Sequence, residues 1–325
     1  MTSVPQNHSK LPHHGVEGLL TLYLREISVA AAYVLLMLSL AIAHPRFFQS
    51  QFTLIWISAA PIIVMAVGMT LVILARHIDI SIGSQYSVCG IVAGLLAVKG
   101  LPMPLVILGT TATGAALGAV NGLLVARMGL PSIVVTLATM VILRGALMWL
   151  TDGAAVRYPN GFQWFGLSQG AGQVVVVIAA AAVFAGFAWA MRFLSGGRAV
   201  YAVGSDREAA RLAGIRPAGV VFGVFTLMGL MSGLAALLNG VQFALIYPNA
   251  GEGLELTVIA AVVVGGTAIS GGRGTLAGTL IGVALLAAIP TALVFFGAQS
   301  QWAKAIQGAI ILLAVASDAL VRRAD

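Results

Sequence analysis

A chain of 325 residues that is 60% hydrophobic and only 8% charged, with a mean hydropathy of +1.02, cannot clothe a soluble domain, which typically carries roughly a quarter charged residues. Its net charge of +7 is dispersed at the ends of apolar runs and gathers into no stripe, which excludes a nucleic-acid groove. The one cysteine, Cys89, lies inside an apolar run, so neither a disulfide framework nor a zinc site can be built from this chain.

The pattern predicts an all-α polytopic membrane protein of about ten transmembrane helices, each run near the ~20 apolar residues that cross a bilayer. Residues 1–26 read as a cytoplasmic tail and 27–325 as a single transmembrane domain. The first 20 residues are polar and rich in Pro and His, without the early apolar core of a signal peptide, so the amino terminus is expected to be retained. His8, His13 and His14 have no acidic partner nearby and read as a solvated tail rather than a metal site. Leu19 to Arg25 either lies as an amphipathic helix in the headgroup layer or extends the first span.

Spans are expected near Ile27 to Ala43, Thr53 to Ala75, Ile82 to Val98, Pro102 to Val125 and Ser132 to Leu150. Five more follow at Gly172 to Phe193, Ala218 to Gly240, Leu256 to Ile269, Thr275 to Phe296 and Trp302 to Leu320. With a cytoplasmic amino terminus, twelve Lys and Arg fall on inner segments and four on outer ones, with Arg144 left within a span. That asymmetry places both termini in the cytoplasm. Pro61 and Pro290 remove backbone hydrogen bonds inside spans and should bend them. Two spans carry small residues every fourth position, Gly114, Gly118 and Gly122, then Gly274, Gly278 and Gly282, which lets neighbouring backbones approach. Ile80-Ser81-Ile82-Gly83 and Ile269-Ser270-Gly271-Gly272 open the third and ninth spans as a faint internal repeat.

Asp79 and Ser81 start the third span, where either caps the helix or, in Asp79's case, gates the inner end with Arg76. Arg144 stands about 18 Å along its helix at ~1.5 Å per residue, where a charge must pair, snorkel or face water. Between spans, residues 195–217 read SGGRAVYAVGSDREAARLAGIRP. Ser205 with Glu208 forms a capping box, Asp206 and Glu208 suit a helix start, and Gly214 then Pro217 end it. The resulting two-turn helix, Asp206 to Ala213, has a small apolar face of Ala209, Leu212 and Ala213 that docks either on a partner or on its own bundle. No GxxxxGK[ST] occurs, and no Ser/His pair, Asp/Asp pair or HExxH lies within the spans, so the chain is not expected to be an enzyme or to hold a cofactor or metal. Mid-span carboxylates of the kind an ion-coupled carrier uses are not expected either.

Glu208-Ala209-Ala210-Arg211-Leu212-Ala213-Gly214 resembles the EAA-x-x-x-G loop by which permeases of ATP-binding-cassette importers engage their ATPases. PNAGEGLELTVIAAVVVGGTAISGGRG at 248–274, IDISIGS at 78–84, NGLLVA at 121–126 and PSIVVTLATMVILRG at 131–145 are similar, in the same order, to ribose-type sugar permeases. The departures are His77 where Gly is frequent, Leu254 where an aromatic is frequent and Thr257 where Asp is frequent. Arg76-His77-Ile78-Asp79 is closer to permeases for rhamnose or autoinducer-2. The resemblance implies a permease subunit in a bacterial inner membrane, importing a monosaccharide or similar polyol. It also implies cytoplasmic ATPase subunits, a periplasmic solute-binding protein, and a second permease copy or paralogue, all in membrane lipid and without nucleic acid. Ser205, Asp206, Glu208, Ala209, Ala210, Leu212 and Gly214 would then couple to the ATPase. Asn121, Thr136, Thr139 and Arg144 would line the solute route, and Asn249, Glu252 and Glu255, in the loop before the eighth span, would meet the binding protein. A permease for branched-chain amino acids is the alternative within this class, and an ion-coupled carrier the alternative outside it.

Overall fold

The computed structural model describes residues 16–45, 47, 51–299, 301–310 and 312–313; His8, His13 and His14 and residues 311 and 314–320 of the last expected span lie outside them. The chain forms helices α1 (Val16–Ala43), α2 (Phe52–Leu74), α3 (Ile82–Val98), α4 (Met103–Met128), α5 (Ser132–Thr151) and α6 (Gln169–Phe193). It continues through α7 (Ser195–Ser205), α8 (Arg207–Leu212), α9 (Pro217–Gly240), α10 (Leu254–Val264) and α11 (Leu276–Phe295), and residues 302–310 are helical again. A two-residue antiparallel ribbon, β1 (Val156–Arg157) with β2 (Leu245–Ile246), is the one addition to an all-α protein among the described residues. Seven helices, α1, α2, α4, α5, α6, α9 and α11, are long and apolar enough to cross a membrane.

The other two apolar helices are short, α3 with 17 residues and α10 with 11. At ~1.5 Å per residue α10 reaches about 16 Å, half of a ~30 Å hydrocarbon layer, so it is a half-helix where a span from Leu256 to Ile269 was expected. It stops at Val264 because Gly265 lies against α11, where a Cβ would sit 2.3 Å from the Gly278 carbonyl oxygen, and Gly266 (φ 93°) turns the chain. Ile269–Gly272 therefore belong to a turn rather than to a helix start, whereas Ile82 and Gly83 of the paired motif enter α3. Gly274 (φ 149°) likewise precedes α11 and is not part of its small-residue ridge. Leu19 to Arg25 continue α1 without a break, and residues 195–205, expected as loop, form α7.

Hydrophobic on all sides, α2 takes the middle of the bundle: 89% of its most apolar window is buried, against 11% in α6. Large apolar side chains on α1, α4, α5 and α6, among them Leu35, Leu108, Ile142 and Ile178, point outward, as lipid-facing surfaces do. Beside α2, α9 crosses α4 backbone to backbone. A Cβ on Gly118 would lie 2.2 Å from the Phe225 carbonyl oxygen, and one on Gly229 2.0 Å from that of Gly114. The same device joins α10 and α11, where a Cβ on Gly282 would lie 2.1 Å from the Ala261 carbonyl oxygen. With no hydrophobic force acting between helices in lipid, this proximity supplies the dispersion contacts that hold them together.

Gly229→Ala should force α4 and α9 apart and cost about 1–3 kcal/mol, read as a lower melting temperature in detergent. Gly223→Ala on the same helix has open space around its Cβ and should leave the melting temperature unchanged or slightly raised.

Candidate functional site

Between α2 and α3 the chain turns at Arg76, whose φ of 66° is the left-handed value of a helix C-cap usually given to glycine. His77 N–H donates to the Val72 carbonyl (3.0 Å) and Arg76 N–H to that of Ile73 (2.9 Å), closing α2. The following residues carry a buried polar chain. Thr139 Oγ1 donates to Asn121 Oδ1 (2.7 Å), Asn121 Nδ2 to Ser81 Oγ (2.9 Å), and Ser81 Oγ to Asp79 Oδ1 (2.5 Å). Gln85 Nε2 adds bonds to Ser81 Oγ (2.7 Å) and Asp79 Oδ2 (3.3 Å), while Ser81 N–H reaches Asp79 Oδ1 (2.9 Å). Asp79, Ser81, Gln85 and Asn121 are fully buried, and the network draws α3, α4 and α5 together. Asp79 is thus the group that accepts a free N–H at the start of α3; the Ser81 side chain caps nothing and relays instead. Thr136, also buried, bonds within its own helix to the Ser132 carbonyl (2.8 Å), and Ser84 Oγ donates to the Met140 carbonyl across to α5 (3.0 Å).

The second part of the site comes from a chain segment that folds back into the bundle. After α9 and β2, residues 246–253 run along α3. Ile246 packs where Gly90 leaves room, Gly251 N–H donates to Ser87 Oγ (2.9 Å), and Gly251 meets Gly83 so closely that a Cβ on it would lie 1.9 Å from the Gly83 carbonyl oxygen. From Gly90 to Gly83 is a descent of about 10 Å at ~1.5 Å per residue. Gly253 (φ 87°) then starts α10. Glu255 therefore stands in the first turn of an interior half-helix, 8% exposed, and not on the outer loop where it was expected. Its Oε1 lies 3.8 Å from Arg144 Nη2 of α5, and its Oε2 is buried over Gly83 without a hydrogen-bond partner. The positive end of α10 favours the carboxylate there. A carboxylate and an arginine thus pair far from both ends of α5, contrary to the expectation that mid-span depth holds no carboxylate. Asn249 and Glu252, its expected companions, remain exposed.

At the end of the bundle that carries α7 and α8, Asp206 rather than Ser205 is the cap. Its Oδ1 accepts from Glu208 N–H (2.8 Å) and Ala209 N–H (2.9 Å), and the N–H groups of Ala209 and Glu208 hold its carboxyl below the usual aspartate range. Ser205 instead ends α7, and Glu208 turns to Arg211 (2.6 Å) in place of reaching back in a capping box. α8 is six residues long and closes at Gly214 (φ 83°), with Ile215 N–H donating to the Ala210 carbonyl (3.0 Å). Ala210 is buried, whereas Ala209, Leu212 and Ala213 are exposed, Leu212 by 77%. The α7 end is locked to the core. A Cβ on Gly204 would lie 1.7 Å from the Leu74 carbonyl oxygen, Arg76 Nη2 donates to the Ser205 carbonyl (2.5 Å), and Tyr201 OH to that of Gly274 (2.9 Å). Arg76 is engaged there and does not pair with Asp79.

Sequence reasoning missed Gln85, Gly83, Gly251 and the placement of Glu255. Two signals pointed to them: an apolar run before Ile269 shorter than the ~20 residues of a span, and the glycines Gly251 and Gly253 ahead of it, the pattern of a broken helix. No group of metal-ligating side chains occurs among the described residues.

Residues 51–315 match the family described as branched-chain amino acid transport system / permease component. The chain is 36% identical over 260 residues to the ribose import permease protein RbsC of Escherichia coli K12, covering 78% of this chain and 81% of that protein. It is 32% identical over 306 residues to the autoinducer 2 import system permease protein LsrC of Photorhabdus luminescens (92% and 91%), and 34% identical over 304 residues to that of Enterobacter sp. strain 638 (92% and 88%). No solved structure matches.

Removing one member of the Arg144–Glu255 pair strands the other. Glu255→Leu and Arg144→Leu should each destabilise the protein in detergent by up to ~2.5 kcal/mol, less where solvent reaches the one-third-exposed guanidinium. The double variant should recover part of the sum in a thermal double-mutant cycle; strictly additive losses would show that the two side chains do not interact.

Proposed function

This chain belongs to the branched-chain amino acid transport system / permease component family, and on that premise we propose that it is the permease subunit of an ATP-binding-cassette importer for a monosaccharide or the related signal autoinducer-2. The observation that carries the reading is the interior polar site in an otherwise apolar bundle: hydroxyl and amide groups of Thr139, Asn121, Ser81 and Gln85 beside a mutually neutralised Arg144–Glu255 pair. Hydroxyls of an uncharged solute exchange with such groups at little electrostatic cost. An amino acid would need one counter-charge for its carboxylate and another for its ammonium, and here the two charges are engaged with each other. Arg144, Thr139 and Asn121, with Thr136 behind them, line the route, and Asp79 with Ser81 closes its inner side.

The assembly sits in the bacterial inner membrane with about ten spans and both termini cytoplasmic. Two ATPase subunits, a periplasmic solute-binding protein and a second permease copy or paralogue complete it. Asn249 and Glu252 are exposed members of the re-entrant segment and are the residues on which a binding protein would land. Asp206, Glu208, Ala209, Ala210, Leu212 and Gly214, following Ser205, form the handle the ATPase grips. The exposed Leu212 supports that reading. Force on α8 passes through α7 to Leu74 and Arg76, and three residues later reaches Asp79, so the handle and the polar site share one seven-residue link, 75–81.

Reconstituted with its ATPase and binding protein in proteoliposomes, the Glu208→Ala/Gly214→Val variant should insert normally yet lose ATP-driven uptake. Survival of uptake would sink the coupling assignment. Arg144→Leu should stop uptake in a complex that still assembles; failure of assembly instead would make Arg144 a structural residue alone.

A further inference from the structure

A cavity of about 500 Å³ opens on the side of the bundle between α6, α7 and α9, close to the end that carries α8. Its wall is apolar: Leu71, Phe187, Met191, Val224 and Leu227 are typical. Glycines also line it, and Gly196, Gly219 and Gly223 have no atom within 3.5 Å of a built Cβ, so no helix needs them bare; their lack of side chains is what keeps the groove open. Bare helix surface facing lipid forfeits dispersion contacts unless something fills it.

Cations surround one end of this groove. The Arg192 guanidinium stands 5.5 Å over the Phe193 ring, and Arg198 Nη1 donates to the Phe193 carbonyl (3.3 Å), so both converge on the residue next to the lining Leu194. Arg216 closes the other wall, its Cβ 3.8 Å from a Cβ built on the lining Gly219. All three are exposed, and none forms an ion pair among the described residues. The carboxylates that follow on α8 are spent: Asp206 caps that helix and Glu208 holds Arg211.

We propose that this groove is a binding site for an anionic phospholipid, one acyl chain lying along α6 and α9 and the phosphate held by Arg192, Arg198 and Arg216. Arginine suits the phosphate because its planar fork donates two parallel hydrogen bonds, and a basic cluster at the edge of an apolar groove between helices is how a bundle selects headgroup charge. A second copy of the chain is a poorer occupant, since it would have to bury three unpaired cations of one sign.

Native mass spectrometry of the purified full-length chain, titrated in neutral detergent with phosphatidylglycerol or with phosphatidylcholine of the same chains, tests the site. Phosphatidylglycerol adducts should outlast phosphatidylcholine adducts by roughly tenfold or more in apparent affinity. Arg192→Gln/Arg198→Gln/Arg216→Gln should abolish the preference while sparing a weak, headgroup-blind adduct. Gly223→Leu, whose Cβ meets no atom within 4 Å, puts a side chain on the lining of the groove and should weaken both lipids at unchanged melting temperature. Equal binding of the two lipids, a preference that survives the arginine changes, or adducts indifferent to Gly223→Leu would each overturn the proposal. So would a dimer that Gly223→Leu dissociates, which would assign the groove to a second copy.

Discussion

The contact on which the interior of this protein depends is the touch of two backbones at Gly83 and Gly251. A methyl group on either glycine would collide with the other's peptide, so the re-entrant segment reaches its depth only because both lack a Cβ. From that crossing follow the start of α10 inside the bundle, its half-span length, and the burial of Glu255 beside Arg144. Irregular backbone at membrane depth is tolerated when protein surrounds it and its polar groups are met. Gly251 N–H meets Ser87, and Leu254 N–H returns to the Gly251 carbonyl.

The buried carboxylate of Asp79 obeys the same demand. A carboxylate in hydrocarbon is costly, and Asp79 is buried only because one backbone N–H, one hydroxyl and one amide converge on it. Ser81 Oγ accepts two hydrogen bonds and donates one, which uses its full capacity, while Gln85 Oε1 in the same network has no partner. The network's reach ties α3, α4 and α5 to one another. Glu255 is different: one oxygen faces Arg144 at a loose 3.8 Å and the other has no hydrogen-bond partner, as is also true of the buried Gln85 Oε1, Thr110 Oγ1 and Thr267 Oγ1.

A mechanical line joins that interior to the surface. Gly204 presses on the end of α2, Arg76 ties the same place to α7, and Gly272 N–H donates to the Leu74 carbonyl (2.9 Å), so α2, α7 and the turn before α11 meet at one knot. α8 hangs from that knot with Leu212 outward. Because α2 is the most buried of the seven long apolar helices, the knot joins the centre of the bundle and not its lipid-facing rim, where α1 and α6 lie.

Amino-acid order alone determined what depends on local composition. Uninterrupted apolar runs made α2, α3, α5, α9 and α11 legible to within a residue or two, since hydropathy and chain length decide which segments enter a bilayer. The end of α8 was legible too, because Gly214 is the residue that a left-handed C-cap requires. The similarity of residues 78–84, 121–126, 131–145 and 248–274 to sugar permeases pointed to the family, and several of those stretches supply the interior site. What only the tertiary structure decided is where the polar residues of those stretches go. Glu255, read as loop, is interior because Gly251 finds Gly83, a residue 168 positions earlier in the chain. Asp206 displaced Ser205 as the cap because α7, folded against Leu74 and Arg76, carries Ser205 to its own end. Backbone proximity between distant glycines leaves no periodic trace in a single sequence, and side-chain burial follows from that proximity, so the depth of each polar group became visible only once the helices were packed.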